Sequence, residues 1–226
     1  MAKKINVKGV IIPNSYKWFY DYFKEDSTCP SDVSVVLDDA NGQDVEVYIN
    51  SPGGIIEAGS EIYTLLRAYK GDVKQYVLGA AHSAASIIAM ARYCEMSPTA
   101  LMMVHCVSTG TYGNHTEMEH MAEVLKTADD ALSNAYTTKS GMSKEEVLSM
   151  MEKETWLTAQ QALDKKLIDG VMFEKKEPEP LAASSFTLPT AEQMEKVKNM
   201  IEGQTNKSAF LISKLKFLKL KGEQTV

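Results

Sequence analysis

A serine, a histidine and a pair of glycines are the residues here best able to do chemistry. Ser83 sits in Gly79-Ala80-Ala81-His82-Ser83-Ala84-Ala85-Ser86, behind the apolar run Val73 to Leu78 and at the head of a small, apolar stretch with helical spacing. A strand, a glycine, a serine and a helix place a hydroxyl where unpaired backbone N–H groups and the helix dipole favour developing negative charge. Ser83 is therefore a candidate nucleophile, although a serine at a helix start is also an ordinary N-cap. His105 ends the apolar run Ala100 to Val107, where a lone histidine is commonly a satisfied core residue. Ser51-Pro52-Gly53-Gly54 joins an alternating run to a helical one. Paired glycines there permit positive φ and close approach of backbone to a ligand, or simply a tight loop.

The elements that must position these residues follow from periodicity. Ile5 to Ile12, Asp44 to Asn50, Val73 to Leu78, Tyr93 to Met96 and Ala100 to Val107 read as strands. Between them, Ser31 is placed to cap a helix through Ala40. A second helix runs from about Glu57 to Tyr69 with a stripe of Ile62, Leu65, Leu66 and Tyr69, and the Ser83 helix runs to about Arg92. The longest helix is expected from Asn114 to about Lys139, with Thr116 and Glu119 as its capping box and Met118, Met121, Leu125, Leu132, Ala135 and Tyr136 as its apolar stripe. Ser143 with Glu146, and Thr158 with Gln161, open two further short helices, and Leu167 to Val171 turns into a last strand. Strands alternating with helices predict an α/β fold built from parallel crossovers. The aromatic-rich run Tyr16 to Phe23 is expected to cover a sheet edge. Asp21, Glu25 and Asp26 among its rings argue against a base-stacking platform.

Composition narrows the function classes. The 226 residues are 44% apolar and 24% charged, ordinary values for a globular chain, and the net charge of −6 argues against nonspecific nucleic-acid binding. No apolar run approaches the ~20 residues that span a bilayer, and the start lacks the apolar core of a signal peptide. Three scattered cysteines, Cys29, Cys94 and Cys106, suggest a reducing cytoplasm. Nothing has metal-ligand spacing and no phosphate-binding Gly-x-x-x-x-Gly-Lys loop is present, so no metal or cofactor is expected and the chain should not hydrolyse ATP itself. After Phe173 the composition changes. Residues 174–189 read as a Pro- and Ser-containing linker, Thr190 with Gln193 caps a short helix to about Ile201, and the tail from Gly203 carries five lysines and one glutamate interleaved with Phe210, Leu211, Ile212, Leu215, Phe217, Leu218 and Leu220. The expected division is 1–173, 174–189 and 190–226. A basic amphipathic tail can dock on a partner or an anionic surface.

The signals converge on one end of one sheet, because open α/β sheets build sites at the C-terminal ends of their strands. A nucleophile, a general base and a loop of N–H donors are what acyl transfer needs. The chain resembles the proteolytic subunit of Clp protease, the ClpP family, and most of all its phage and prophage members. The resemblance rests on Tyr-Ile-Asn-Ser-Pro-Gly-Gly at 48–54, Gly-Ala-Ala-His-Ser-Ala-Ala-Ser at 79–86, Met-Val-His at 103–105, and Trp-Leu-Thr-Ala-Gln-Gln-Ala-Leu with Leu-Ile-Asp-Gly at 156–163 and 167–170. It covers roughly Ile5 to Val171.

The resemblance implies a spiral of parallel strands with crossover helices, a fold shared with crotonases, here with a C-terminal appendage. It implies Ser83 as nucleophile, His105 as general base, and the N–H groups of Gly54 and Ala84 as the oxyanion hole. The family's triad acid is an Asp just before the aromatic-Leu-Ser/Thr-Ala run, and Glu154 holds that position. Asp164 and Asp169 are fallback acids. His82 replaces a residue that is small in the family, and Ser86 is expected to pack. The resemblance further implies a cytoplasmic serine endopeptidase and a homo-oligomer of stacked seven-membered rings, joined through the long helix. Substrates would be unfolded proteins fed by a separate ATP-driven AAA+ unfoldase or, in phage relatives, scaffold and capsid proteins. A crotonase-type acyl-CoA enzyme and a catalytically inactive assembly subunit are the alternatives; the first needs no serine nucleophile, and the second need not retain Ser, His and a carboxylate.

Overall fold

The computed structural model describes residues 2–174, 194–196, 198 and 199. The chain divides into two compact units, Met1–Lys175 and Lys176–Val226. In the second, residues 194–196 and 198–199 are helical, within the span expected for a short helix. The basic tail from Gly203, and the expected linker apart from residue 174, lie outside the described residues.

The first unit is α/β, as the alternation predicts. Eight strands form one sheet: β1 (Lys3–Ile11), β2 (Ser27–Thr28), β3 (Val45–Gly54), β4 (Val73–His82), β5 (Tyr93–Met96), β6 (Leu101–Val104), β7 (Thr155–Thr158) and β8 (Gly170–Val171). The main path runs β2-β1-β3-β4-β5-β8, all parallel, while β6 pairs parallel with β4 and antiparallel with β7. Seven α-helices connect them: α1 (Lys17–Phe23), α2 (Pro30–Ala40), α3 (Ile56–Ala68), α4 (Ala84–Ala89), α5 (His115–Ser140), α6 (Lys144–Glu152) and α7 (Ala159–Asp164). Among the described residues no helix is long and apolar enough to cross a membrane.

The period-two pattern of β3 buries Val45, Val47 and Ile49 against the helices, and Val73 and Val77 do the same on β4. Gln75 interrupts the β4 run yet is wholly buried. Its amide is satisfied at both ends, Nε2 donating to the Ile88 carbonyl (2.8 Å) and Oε1 accepting from Arg92 N–H (2.8 Å), as a buried polar group requires. On α3, Ala58, Gly59, Ile62 and Leu66 form the buried stripe. Gly59 allows α3 to lie against α4, since a Cβ there would stand 2.9 Å from the Ala84 Cβ.

Strand β4 runs further than the apolar run predicts, through Gly79 to His82, because it changes partners midway. Its first half pairs with β5 (Lys74 to Val77) and its second half with β6 (Ala80 to His82). The switch coincides with a register shift against β3. Asn50 Oδ1 accepts from Ala80 N–H (3.1 Å), and a Cβ at Gly79 would come within 2.7 Å of that oxygen.

Several expected details are corrected. Cys29, not Ser31, is the N-cap of α2, with its N–H bonded to the Asp32 carboxylate at 3.0 Å; Pro30 already fixes the first helical residue. Asn114 with Glu117, not Thr116 with Glu119, caps α5. The Ser143–Glu146 and Thr158–Gln161 boxes are present as expected. Helix α1 lies beside the edge strand β2 as expected, Lys17 Nζ donating to the Ser27 carbonyl at 3.1 Å, but several of its rings stay exposed. Trp18 is 70% and Tyr22 76% exposed, and the aromatics pack edge-to-face on one another.

Candidate active site

Ser83 stands between β4 and α4 with φ 54° and ψ −126°, a sparsely populated conformation for a residue with a side chain. Such strain persists only where surroundings over-determine it. Here the Ser83 N–H donates to the Met103 carbonyl on β6 (2.9 Å), while the Ser83 carbonyl accepts the Ser86 N–H (2.9 Å) at the start of α4. The sharp strand-to-helix turn presents Ser83 to the cleft, the geometry that a nucleophile elbow uses.

His105 follows β6 directly, which pairs with the same end of β4, so the sheet brings the two side chains together. His105 Nε2 lies 2.8 Å from Ser83 Oγ. With the proton on Nδ1, the imidazole accepts the serine proton, the arrangement that activates a hydroxyl for attack. The cleft holds both, with Gly54 and Ala84, and its other walls include Ile56, Ile87, Leu132 and Met151.

The glycine pair closes the site from β3. Buried Ser51 donates to the Gly9 carbonyl (2.6 Å) and accepts the Gly53 N–H (3.1 Å), tying the strand end to the β1 bulge. Gly53 (φ 96°) lies so near the elbow that a Cβ would stand 2.7 Å from the Ser83 Cβ. Gly54 is exposed toward the cleft, and Ala84 is the first residue of α4, whose N–H has no acceptor within the helix. Both belong to a site that could receive an oxyanion.

Residues 31–175 match the Clp protease family. The chain belongs to that family. Over 139 residues it is 35% identical to the ATP-dependent Clp protease proteolytic subunit of Ligilactobacillus salivarius (strain UCC118), a match covering 59% of this chain and 70% of the relative. As a member of the Clp protease family the chain is a serine protease, and the α/β sheet of parallel strands is consistent with the family's fold.

The expected acid is not brought to the histidine. The β6–β7 ladder ends at Val104 opposite Thr155, so His105 and Glu154 stand just beyond the same end of it. Glu154, however, has φ 47°, is exposed, and accepts the Trp156 indole N–H at 3.2 Å. Among the described residues no carboxylate hydrogen-bonds His105. The fallback acids are engaged elsewhere: Asp164 accepts from Gln160 Nε2 (2.9 Å), and Asp169 accepts the Cys94 N–H (2.7 Å) and pairs with Lys139. Asp129, which the sequence did not single out, does reach the segment after His105, accepting the Val107 N–H at 2.7 Å. Burial, with the Asp129 carboxylate nearby, pushes the Cys106 thiol's pKa up to about 11.

His82 lies edge-on to the Trp156 ring at 4.8 Å, and its Nε2 is buried with no partner. Burial lowers its pKa below the ordinary 6.5. The folded chain thus resists a proton that the unfolded chain takes up below about pH 6.5, so stability falls as pH drops through that range. His82→Phe keeps a ring and removes the titration. Thermal unfolding of this variant between pH 7 and pH 5 is expected to give a flatter stability profile than the parent; parallel profiles would assign the acid sensitivity to other groups.

Proposed function

We propose that this serine protease hydrolyses peptide bonds through an acyl-enzyme on Ser83. His105 takes the serine proton as Oγ attacks the scissile carbonyl and returns it to the leaving amine. Water then attacks the ester, with His105 as base again. The N–H groups of Gly54 and Ala84 receive the oxyanion of both tetrahedral intermediates. The observation that carries this reading is the 2.8 Å contact between His105 Nε2 and a serine held at positive φ on a helix N-terminus. The test is a fluorophosphonate probe followed by mass spectrometry, with Ser83→Ala in parallel. An adduct on Ser83 alone is expected; a folded, assembled sample that fails to label would overturn it.

Glu154 is the proposed third member of the site. Its place at the same end of the β6–β7 ladder as His105 supports this, while its bond to Trp156 and its exposure argue for a modest contribution. Glu154→Ala is expected to lower kcat by about tenfold, against the roughly 10⁴-fold loss typical when an acid holds the histidine throughout. Steady-state hydrolysis of a fluorogenic peptide decides this, and a loss as deep as that of His105→Ala would mean that the carboxylate swings to the imidazole in the working enzyme.

The assembly is proposed to be a homo-oligomer of stacked heptameric rings in the cytoplasm, acting on unfolded proteins delivered by an AAA+ unfoldase or on scaffold and capsid proteins of a phage head. Support for an oligomer comes from α5. Its buried residues are Ser133, Ala135, Tyr136 and Ser140, while Met118 and Val124 on its first half are exposed. Residues 1–173 form the peptidase unit in this reading, 174–189 a linker, and 190–226 a docking element for assembly. Sedimentation of the full chain and of a chain ending at residue 189 tests both points; identical assembly, processing and partner binding by the two would remove the role given to the tail.

A further inference from the structure

Ser86 and Tyr136 pack beside the candidate nucleophile, and Tyr136 also lines its cleft. Both are buried, Ser86 at 0% and Tyr136 at 3% exposure. Ser86 Oγ donates to the Ser83 carbonyl at 2.6 Å and lies 2.7 Å from the Tyr136 hydroxyl. A serine hydroxyl has one hydrogen. Since Ser86 gives its hydrogen to the Ser83 carbonyl, the Tyr136 hydroxyl must be the donor in the second bond. The result is a directed chain from α5 to the elbow: Tyr136 O–H to Ser86 Oγ, and Ser86 O–H to Ser83 C=O. Burial raises the pKa of Tyr136, which keeps it a donor throughout the working range.

The carbonyl at the end of this chain is half of a planar unit. The Ser83 C=O and the Ala84 N–H belong to the same peptide group, and in a trans peptide they point in opposite directions. Fixing the oxygen toward the Ser86 hydroxyl therefore fixes the Ala84 N–H in the opposite direction, and Ala84 lines the cleft. Ser83 at φ 54° has no intrinsic preference to hold this orientation. The backbone bonds from the Ser86 and Ile87 N–H groups (2.9 and 3.4 Å) reach the same oxygen, but they come from the first turn of a helix of only six residues. We propose that Ser86 and Tyr136 are positioning residues that, by holding the Ser83 carbonyl, aim the Ala84 N–H at the oxyanion of the substrate. This rests on the reading of Ser83 as nucleophile and Ala84 as oxyanion donor, and it gives work to two hydroxyls that touch no reacting atom.

The relay predicts a separation between stability and catalysis. Ser86→Ala strands the buried Tyr136 hydroxyl, so it lowers both Tm and kcat. Tyr136→Phe leaves the Ser86 bond in place but unsupported and has the milder effect. In the double variant both polar partners are gone, and replacing both partners of a buried bond is close to neutral for folding. Its Tm is expected to return toward the parent value. Its kcat on a fluorogenic peptide should remain about tenfold low with KM unchanged, below the 10²–10³-fold loss of removing an oxyanion donor outright. Its Ki for a peptide aldehyde, which forms the tetrahedral adduct on Ser83, should weaken by a similar factor. Rates are referred to active sites titrated with the fluorophosphonate. Recovery of kcat along with Tm, or an unchanged aldehyde Ki, would reduce the pair to packing. A parent enzyme that hydrolyses peptides without labelling on Ser83 would instead overturn the underlying assignment, whatever these variants do.

Discussion

Replacing Ser83 with alanine is expected to lower peptide hydrolysis by about 10⁴- to 10⁶-fold, and His105→Ala by a similar factor. In the proposed mechanism His105 takes the Ser83 proton across a 2.8 Å contact, so neither residue works without the other. The double variant is then expected to be no worse than either single one, with the residual rate supplied by binding and the oxyanion donors. Fluorophosphonate labelling should vanish in Ser83→Ala and slow by orders of magnitude in His105→Ala, where the hydroxyl is present but lacks its base. Folding should be nearly indifferent. Alanine tolerates φ 54° about as poorly as serine does, and both side chains are only partly buried at the cleft. Additive losses in the double variant would mean that the serine and the histidine act in separate steps.

The Ser83–His105 pair was legible in the sequence because both residues close apolar strands, and strand ends in a parallel sheet meet at one edge. What sequence could not supply was orientation. Glu154 stands at the same end of the β6–β7 ladder as His105, but its backbone is left-handed and its carboxylate accepts the neighbouring Trp156 indole N–H instead. Asp129 and Tyr136 went unrecognised as polar partners because, within a helix of 26 residues, they read as a solvated acid and a stripe aromatic. Only the packing of α5 on the sheet shows that one holds the segment after His105 and the other reaches the elbow. Ser86 was correctly expected to be buried, but its bond to the Ser83 carbonyl depends on the three-residue rise of α4. Strand β4 was cut short at Leu78 because glycine and alanine carry no β pattern. The alternation that defines a strand by sequence fails where the strand bulges around Asn50. The capping boxes at Ser143 and Thr158 are legible in the sequence, whereas at α2 and α5 the expected hydroxyls, Ser31 and Thr116, give way to Cys29 and Asn114, two residues earlier in each case.

Gly54→Ala is the substitution expected to damage fold and chemistry together. A Cβ at Gly54 would stand 2.1 Å from the Ile11 carbonyl oxygen and 2.8 Å from the Ile11 nitrogen, both backbone atoms. Neither can retreat, since Ile11 is paired with Gly54 across β1 and β3 and its carbonyl accepts the Ile55 N–H at 2.9 Å. The φ of 153° adds a backbone strain that no L side chain relieves. The expected cost is about 3–5 kcal/mol, at the severe end for one substitution. Gly42→Ala is the proper control. It has φ 84°, but nothing lies within 4 Å of the added Cβ, so only the conformational cost of about 1–2 kcal/mol applies. Urea unfolding of the two variants separates collision from strain. At temperatures where Gly54→Ala remains folded, kcat should still fall by about 10²–10³-fold, because separating the ends of β1 and β3 moves the Gly54 N–H off the oxyanion. A Gly54→Ala variant as stable as the Gly42 control whose kcat still falls by that factor would show that the glycine serves the chemistry alone. A destabilised variant with full kcat per folded site would instead take the Gly54 N–H out of the oxyanion hole and leave Ala84 as its remaining donor.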